Sequence, residues 1–401
     1  MRRLLQLAVF AVLALAVLGG LHLYLWTRLL LEPGWGEGVA AAGAWALAGL
    51  VLGSPLGMLV ARRLPQAQAR LVLALPFTWL GVALLLLFSL LALDALRLAA
   101  WAGFHLAGEE AAWAALRDSI GLDRLVACAA FGLAGLGSLL GFLGAALPPR
   151  VVTHTLRLPR WPAALDGFRL VLLADLHLGE MLGRRFLGRV VAQVQGLRPD
   201  LVAVVGDLVD GPPGVVMPEL EALRALNPPL GVWFTSGNHE LYSGYRAWLE
   251  ALPGLGLQVL DNRRVTLGRD GAAFELCGLP DLEAARMEPA ARPDLARVLA
   301  GRAAELPVVL LSHQARVVGE AAAQGVELVL AGHNHAGQIW PFGYFVRLQQ
   351  PVVSGFLRRG STLVYVSAGT GFWGPPMRLF TRGEVSLLEL RPEGGDPGAA
   401  P

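Results

Sequence analysis

The chain has two textures, joined at a pair of prolines. From Leu4 to Leu147 the apolar residues run in four long blocks, 4–25, 39–60, 71–93 and 125–147, with no charge inside any of them. Each is about 20 residues or longer, the length a helix needs to cross a hydrocarbon layer roughly 30 Å thick. Pro55 and Pro76 interrupt two blocks, and a membrane helix tolerates proline where neighbours satisfy the freed carbonyl. After Pro148 and Pro149 short apolar runs alternate with amphipathic stretches. FRLVLLAD (168–175), LVAVVGD (201–207), GVWFTSGN (231–238), PVVLLSH (307–313) and VELVLAGH (326–333) read as buried strands. Residues 184–197 and 314–325 have helical spacing between them. The pattern predicts an all-α domain of four membrane helices over 1–150, an α/β domain over 151–390, and a disordered proline- and glycine-rich tail over 391–401.

Composition agrees with a membrane segment. With 55% hydrophobic residues, 16% charged residues and a mean hydropathy of +0.53, the chain is too apolar for one ordinary soluble domain. Arg2 and Arg3 precede the first block as they would an export signal. Its apolar run is longer than a signal core, however, and three more blocks follow, so it is read as a retained anchor.

All basic residues are arginine. Arg2, Arg3, Arg62, Arg63, Arg70, Arg150, Arg157 and Arg160 fall on one side of the blocks. Arg28, Arg97, Arg117 and Arg124 fall on the other, with Asp94, Glu109, Glu110, Asp118 and Asp123. This bias predicts both termini, and the 151–390 domain with them, in the cytoplasm. The 94–124 connection, containing Trp101 and Trp113, is expected as an amphipathic helix along the interface. Cys128 and Cys277 are expected as core packing, and a net charge of +2 gives no ground for a nucleic-acid partner.

Each strand-like run ends in residues able to hold a metal ion. These are Asp175 and His177 in ADLH, Asp207 and Asp210 in GDLVD, Asn238, His239 and Glu240 in GNHE, His313 in SH, and His333 and His335 in GHNH. One such motif is more often a capping or turn residue. Five in order, all at strand ends, point to one site, because α/β sheets gather ligands where the carboxyl ends of strands converge. His22, His105 and His154 lie outside the set and receive no role.

The order D-x-H, G-D-x-x-D, G-N-H-[DE], H, G-H-x-H resembles the calcineurin-like metallophosphoesterase family over roughly residues 151–390. GNHELYSG and VSAGTGFWGPPMRLF look like its membrane-associated bacterial branch. Where relatives often carry GHTHGGQ this chain has GHNHAGQ, and neither Asn334 nor Ala336 is an expected ligand. The resemblance implies a two-sheet β-sandwich flanked by helices and two divalent ions, for which imidazole and carboxylate without cysteine suit Mn²⁺, Fe²⁺ or Zn²⁺.

It also implies that Asp207 bridges the ions. Asp175, His177 and His335 then complete one, while Asn238, His313 and His333 complete the other. His239 faces the substrate, stabilising phosphoryl charge and helping to protonate the leaving oxygen. Asp210 and Glu240 orient histidines, with a plain surface acid an equal reading of Glu240. Arg378 is a candidate phosphate contact or an ordinary surface arginine. Arg184 and Arg185 read as a solvated helix start. Gly206, Gly237 and Gly332 would let the backbone turn beside the ions.

The implied activity is hydrolysis of a phosphate ester or pyrophosphate by attack of a metal-bound hydroxide. The enzyme would be an integral protein of a bacterial membrane, with a lipid-linked phosphoester as the first substrate class. Two alternatives stay open: a phosphodiesterase or phosphatase acting on a soluble substrate, anchored only by its spans, and a non-catalytic metal-binding membrane scaffold.

Overall fold

The computed structural model describes residues 2–61, 64, 66–179 and 181–394. The chain divides into two compact units after Phe142, with residues 375–377 grouped with the first. In the first unit the helices are α1 (Arg2–Trp26), α2 (Glu37–Ala61), α3 (Gln66–Leu106), α4 (Glu110–Ser119) and α5 (Leu122–Ala146). Among the described residues three helices are long and apolar enough to cross a membrane: Glu37–Ala61, Gln68–Leu106 and Leu122–Ala146. The first expected span lies in α1, where several side chains are outside the described residues, as are Arg62 and Arg63.

The interfacial helix expected over 94–124 is not formed as such. Residues 94–106 continue α3, which at 41 residues is about 60 Å long, twice what a bilayer core requires. DALRLAA has no helix breaker, so nothing stops the helix at Asp94; it ends before Gly108, whose φ of +72° supplies a left-handed stop. Only the short α4 is separate. The charges expected in loops pair with one another instead: Arg28 Nε donates to Asp94 Oδ2 at 3.0 Å, and Arg97 Nη1 donates to Asp123 Oδ1 at 2.6 Å. Cys128 is exposed on α5 rather than packed in a core, whereas Cys277 is fully buried.

In the second unit the strands up to the third expected run are β1 (Arg150–Leu158), β2 (Phe168–Leu173), β3 (Leu178–Gly179), β4 (Leu201–Val205), β5 (Val209–Asp210) and β6 (Val232–Thr235). They continue as β7 (Leu257–Val259), β8 (Arg263–Arg269), β9 (Ala272–Leu279), β10 (Val308–Ser312) and β11 (Leu328–Ala331). The last are β12 (Gly355–Arg359), β13 (Thr362–Val366) and β14 (Glu384–Pro392). Two six-stranded sheets form, ordered β1-β14-β2-β4-β6-β7 and β12-β13-β11-β10-β9-β8. β14 pairs with β1 through Pro392, so the expected tail is ordered strand at its start; residues 395–401 lie outside the described residues.

Alternation along the strands explains the layers. On β2, Leu170 and Leu172 enter the core between the sheets with Val205, Leu276 and Leu311. Val171 and Leu173 point the other way, against Val190 and Val194 of helix α6 (Arg184–Gly196). The second sheet is covered likewise, Leu310 and Val329 packing with Val318 and Ala321. Strands buried on both faces read as continuous apolar runs. The result is the expected two-sheet sandwich flanked by helices.

Candidate metal centre

The polar residues predicted at the strand ends do converge. β2, β4, β6, β10 and β11 all stop one to five residues before them, and the chain then turns sharply. Asp175, His177, Asp207, His333 and His335 have φ of 55°, 47°, 51°, 75° and 48°. Such left-handed backbone costs an L-residue about 1–2 kcal/mol and persists where the surroundings over-determine it. Here the turns bind each other: Asp175 N donates to Gly206 O at 3.1 Å, His177 N to Asp207 O at 2.9 Å, and Gly332 N to His313 O at 3.0 Å. Glycine is needed where these turns touch. A Cβ on Gly237 would sit 2.2 Å from Asp207 Oδ1, and one on Gly332 2.7 Å from Asp175 Oδ2.

Three groups of potential ligand atoms result, each within 4.8 Å: Asp175, His177 and His335; Asp207, His313 and His333; and, sharing His177 with the first, His177, Asp210 and His239. His177 Nε2 lies 3.0 Å from His335 Nε2, and His313 Nε2 lies 3.2 Å from His333 Nδ1. Asp207 Oδ2 stands between the first two groups, 3.2 Å from His313 Nε2 and 3.7 Å from His177 Nε2. The far nitrogens are held elsewhere: His177 Nδ1 bonds Asp210 Oδ1 at 2.9 Å, and His313 Nδ1 donates to Val205 O at 2.9 Å. The remaining ring nitrogens, His177 Nε2 with His335 Nε2 and His313 Nε2 with His333 Nδ1, face one another in pairs, and nitrogen donors so gathered beside carboxylates are what a divalent cation draws on. Asn238 Oδ1 is buried beside them without a hydrogen-bond partner, and so orphaned an oxygen needs a ligand. The residues present therefore fit divalent ions held by nitrogen and oxygen.

Comparison with known proteins places this arrangement in a lineage. The model of the calcineurin-like phosphoesterase family matches residues 168–337. A transmembrane protein with a metallophosphoesterase domain from Danio rerio is 36% identical over 327 residues, which cover 79% of this chain and 73% of that protein. The chain belongs to the calcineurin-like phosphoesterases. A protein of the same description from Bos taurus is 37% identical over 265 residues, covering 63% of this chain and 60% of the relative. A metallophosphoesterase of Helicobacter pylori is 36% identical over 227 residues, covering 56% and 60%. These two relatives described as transmembrane are vertebrate, so the likeness is wider than a bacterial branch. As a calcineurin-like phosphoesterase the chain is a metal-dependent hydrolase of phosphorus esters.

Electrostatics in this phosphoesterase centre are set by carboxylates and histidines in mutual contact. Burial disfavours the Asp207 anion, but His313 and His239 outweigh it and hold the carboxyl well below its usual range. Burial pushes Asp175 up. His333 is pushed down to about 3 by burial and by His313, which keeps its imidazole neutral and available as a donor. For His239 burial works against the charged ring, yet Asp207 and Asp210 prevail and raise it to about 9. Asp210 Oδ1 receives both His177 Nδ1, at 2.9 Å, and His239 Nδ1, at 2.6 Å, orienting two rings at once.

Two expectations are corrected. Glu240 orients no histidine and is no surface acid: fully buried, it accepts the backbone N–H groups of Asp207, Leu208, Val209 and Gly237. Burial and the neighbouring Asp207 push it up to about 7. Arg378 is neither an exposed arginine nor open to a phosphate. It is 3% exposed, and its guanidinium donates to the carbonyls of Ala368, Gly369, Gly371 and His335. Those carbonyls border a turn that no local motif foretells. Arg184 and Arg185 are exposed at the start of α6, as expected, and Asn334 Nδ2 donates to Val352 O at 2.8 Å.

Sequence reasoning passed over Trp373 and Tyr242, whose rings lie 5.6 Å and 5.4 Å from that of His239. FWG in the closing motif was the only local signal for Trp373.

Proposed function

We propose that this chain is a membrane-anchored phosphoesterase that holds two divalent ions and hydrolyses a phosphate ester or pyrophosphate on a lipid-linked substrate. The observation that carries the reading is Asp207 Oδ2 standing between the two groups of candidate ligands. Asp175, His177 and His335 would hold one ion; Asn238, His313 and His333 the other, with Asp207 shared. Mn²⁺, Fe²⁺ and Zn²⁺ all suit such donors. Bound there, the ions would supply Lewis acidity to the phosphoryl oxygens.

The chain's own residues do the rest. His239, oriented by Asp210, presents Nε2 at the centre and gives its proton to the leaving oxygen. Glu240 holds the Asp207 loop by its amides, and Arg378 holds the segment after β13 beside His335. The arginine bias supports a cytoplasmic catalytic domain in a bacterial membrane.

The decisive experiment assays detergent-purified protein on a panel of lipid, nucleotide and nitrophenyl phosphoesters. Chelator-sensitive hydrolysis, fastest on a lipid-linked member, is expected. Hydrolysis confined to soluble members would make the spans an anchor only, and turnover of none with metal bound would favour the scaffold.

A further inference from the structure

The segment leaving the metal centre turns apolar side chains outward. Beyond His335 come Trp340, Phe342, Tyr344, Phe345 and Leu348, from 44% to 82% exposed. Trp373 and Phe380 are 50% and 75% exposed. Elsewhere the described part of this unit exposes large apolar side chains singly, as at Val151, Val215 and Met287, apart from Leu143 and Leu147 at the end of α5 and Tyr242 beside His239.

The exposed edge is firmly held. The Gln338 amide donates to Trp373 O at 2.8 Å and accepts from Trp373 N at 3.0 Å. Leu379 N donates to Gln338 O at 3.0 Å, and Trp340 N to Leu379 O at 3.2 Å. The rings of Trp340 and Phe380 meet edge to face, 6.0 Å apart. Since Trp373 also touches the ring of His239, the edge is continuous with the rim of the metal centre.

Charge distinguishes the occupant. From Leu328 to Gly383 the chain carries five arginines and no Asp or Glu. Arg347 and Arg382 are exposed next to Leu348 and near Phe380. Exposed aromatics interleaved with arginine and free of acids are the composition that settles at the headgroup level of an anionic bilayer. Such a surface is always within reach, for α5 ends at Ala146 and β1 begins at Arg150, which ties the catalytic domain to a candidate span by three residues, 147–149.

From this we infer that the edge formed by residues 340–348, Trp373 and Phe380 docks on the lipid headgroup layer, where the metal centre meets a phosphoester presented at the membrane surface. The docking rests on the exposed aromatics and the anchor; the substrate clause rests on the phosphoesterase reading above.

The test uses the full chain in nanodiscs containing phosphatidylglycerol, in a Cys128→Ser background. An NBD fluorophore is attached at Leu348→Cys and, as controls, at Val215→Cys and Met287→Cys. Doxyl-labelled lipid should quench the dye at 348 at least twofold more than at either control. Equal quenching at all three overturns the docking. Shielding of 348 from aqueous iodide without lipid quenching would mean that a second copy or another protein covers the edge, and overturns it too.

In a second arm Trp340, Phe342 and Leu348 are all replaced by Ser. Hydrolysis of a phospholipid substrate in the nanodisc should fall at least tenfold, with metal content and nitrophenyl phosphoester hydrolysis unchanged. Equal rates on the lipid substrate would overturn the substrate clause. If the parent protein hydrolyses neither while lipid quenching at 348 persists, the phosphoesterase reading fails and the docking stands.

Discussion

Glu240 Oε2 accepts the backbone N–H of Asp207 at 3.0 Å, so the residue placed between the two ligand groups is held by its main chain as well as by its side chain. The same carboxylate takes Gly237 N at 2.6 Å and Leu208 N at 2.8 Å. Glu240→Gln would turn an amide N–H against these donors, removing charge-assisted bonds and leaving a buried donor unpaired. The expected loss is about 1–3 kcal/mol, or roughly 2–12 °C in unfolding temperature for a domain of this size. Thermal scanning checks this, and an unchanged unfolding temperature would refute the clamp.

Asp207→Asn tests the shared position. An amide cannot supply two anionic oxygens to two cations, so metal content and activity should fall together, and further than in Glu240→Gln. Elemental analysis decides: two ions retained in Asp207→Asn would remove Asp207 from the bridging role.

His239 is tested through its leaving group. A basic alkoxide needs a proton in the transition state, whereas a nitrophenolate leaves without one. His239→Asn should therefore slow an alkyl phosphoester by on the order of 10²–10⁴ and the nitrophenyl analogue much less, with metals retained. In the parent protein Asp207 and Asp210 hold the imidazole above its ordinary range, up to about 9. An equal loss on both substrates would mean that His239 stabilises phosphoryl charge instead.

Arg378→Lys separates a backbone clamp from a phosphate contact. Lysine keeps the charge but cannot span the carbonyls of Ala368, Gly369 and Gly371. Lower unfolding temperature and weaker metal retention are expected. A rise in KM alone, with stability intact, would return Arg378 to the substrate.

Orientation is tested by cysteine labelling in intact cells. A cysteine beside Arg157 should be shielded from an impermeant thiol reagent, and one beside Glu109 should react. The reverse pattern would move the catalytic domain outside the cytoplasm.

Much of this was legible in the chain because the decisive signals are local. Strands buried on both faces must be continuously apolar, so their ends, where Asp175, Asp207, Asn238, His313 and His333 stand, could be read directly. The uninterrupted apolar blocks marked the candidate spans for the same reason.

Tertiary structure alone decided which way the remaining polar and aromatic groups face. Glu240 meets four amides because β4 and β6 are hydrogen-bonded neighbours whose ends lie side by side. Arg378 is buried because the carbonyls of Ala368, Gly369 and Gly371, seven to ten residues earlier, and of His335, 43 earlier, close round it, and the charge of Asp94 within α3 meets Arg28, 66 positions earlier. Trp340 and Phe380 form one exposed edge because Gln338 and Leu379 are joined through their backbones. Sequence determines what each residue can satisfy; only the fold determines which partners, far along the chain, come within hydrogen-bonding distance.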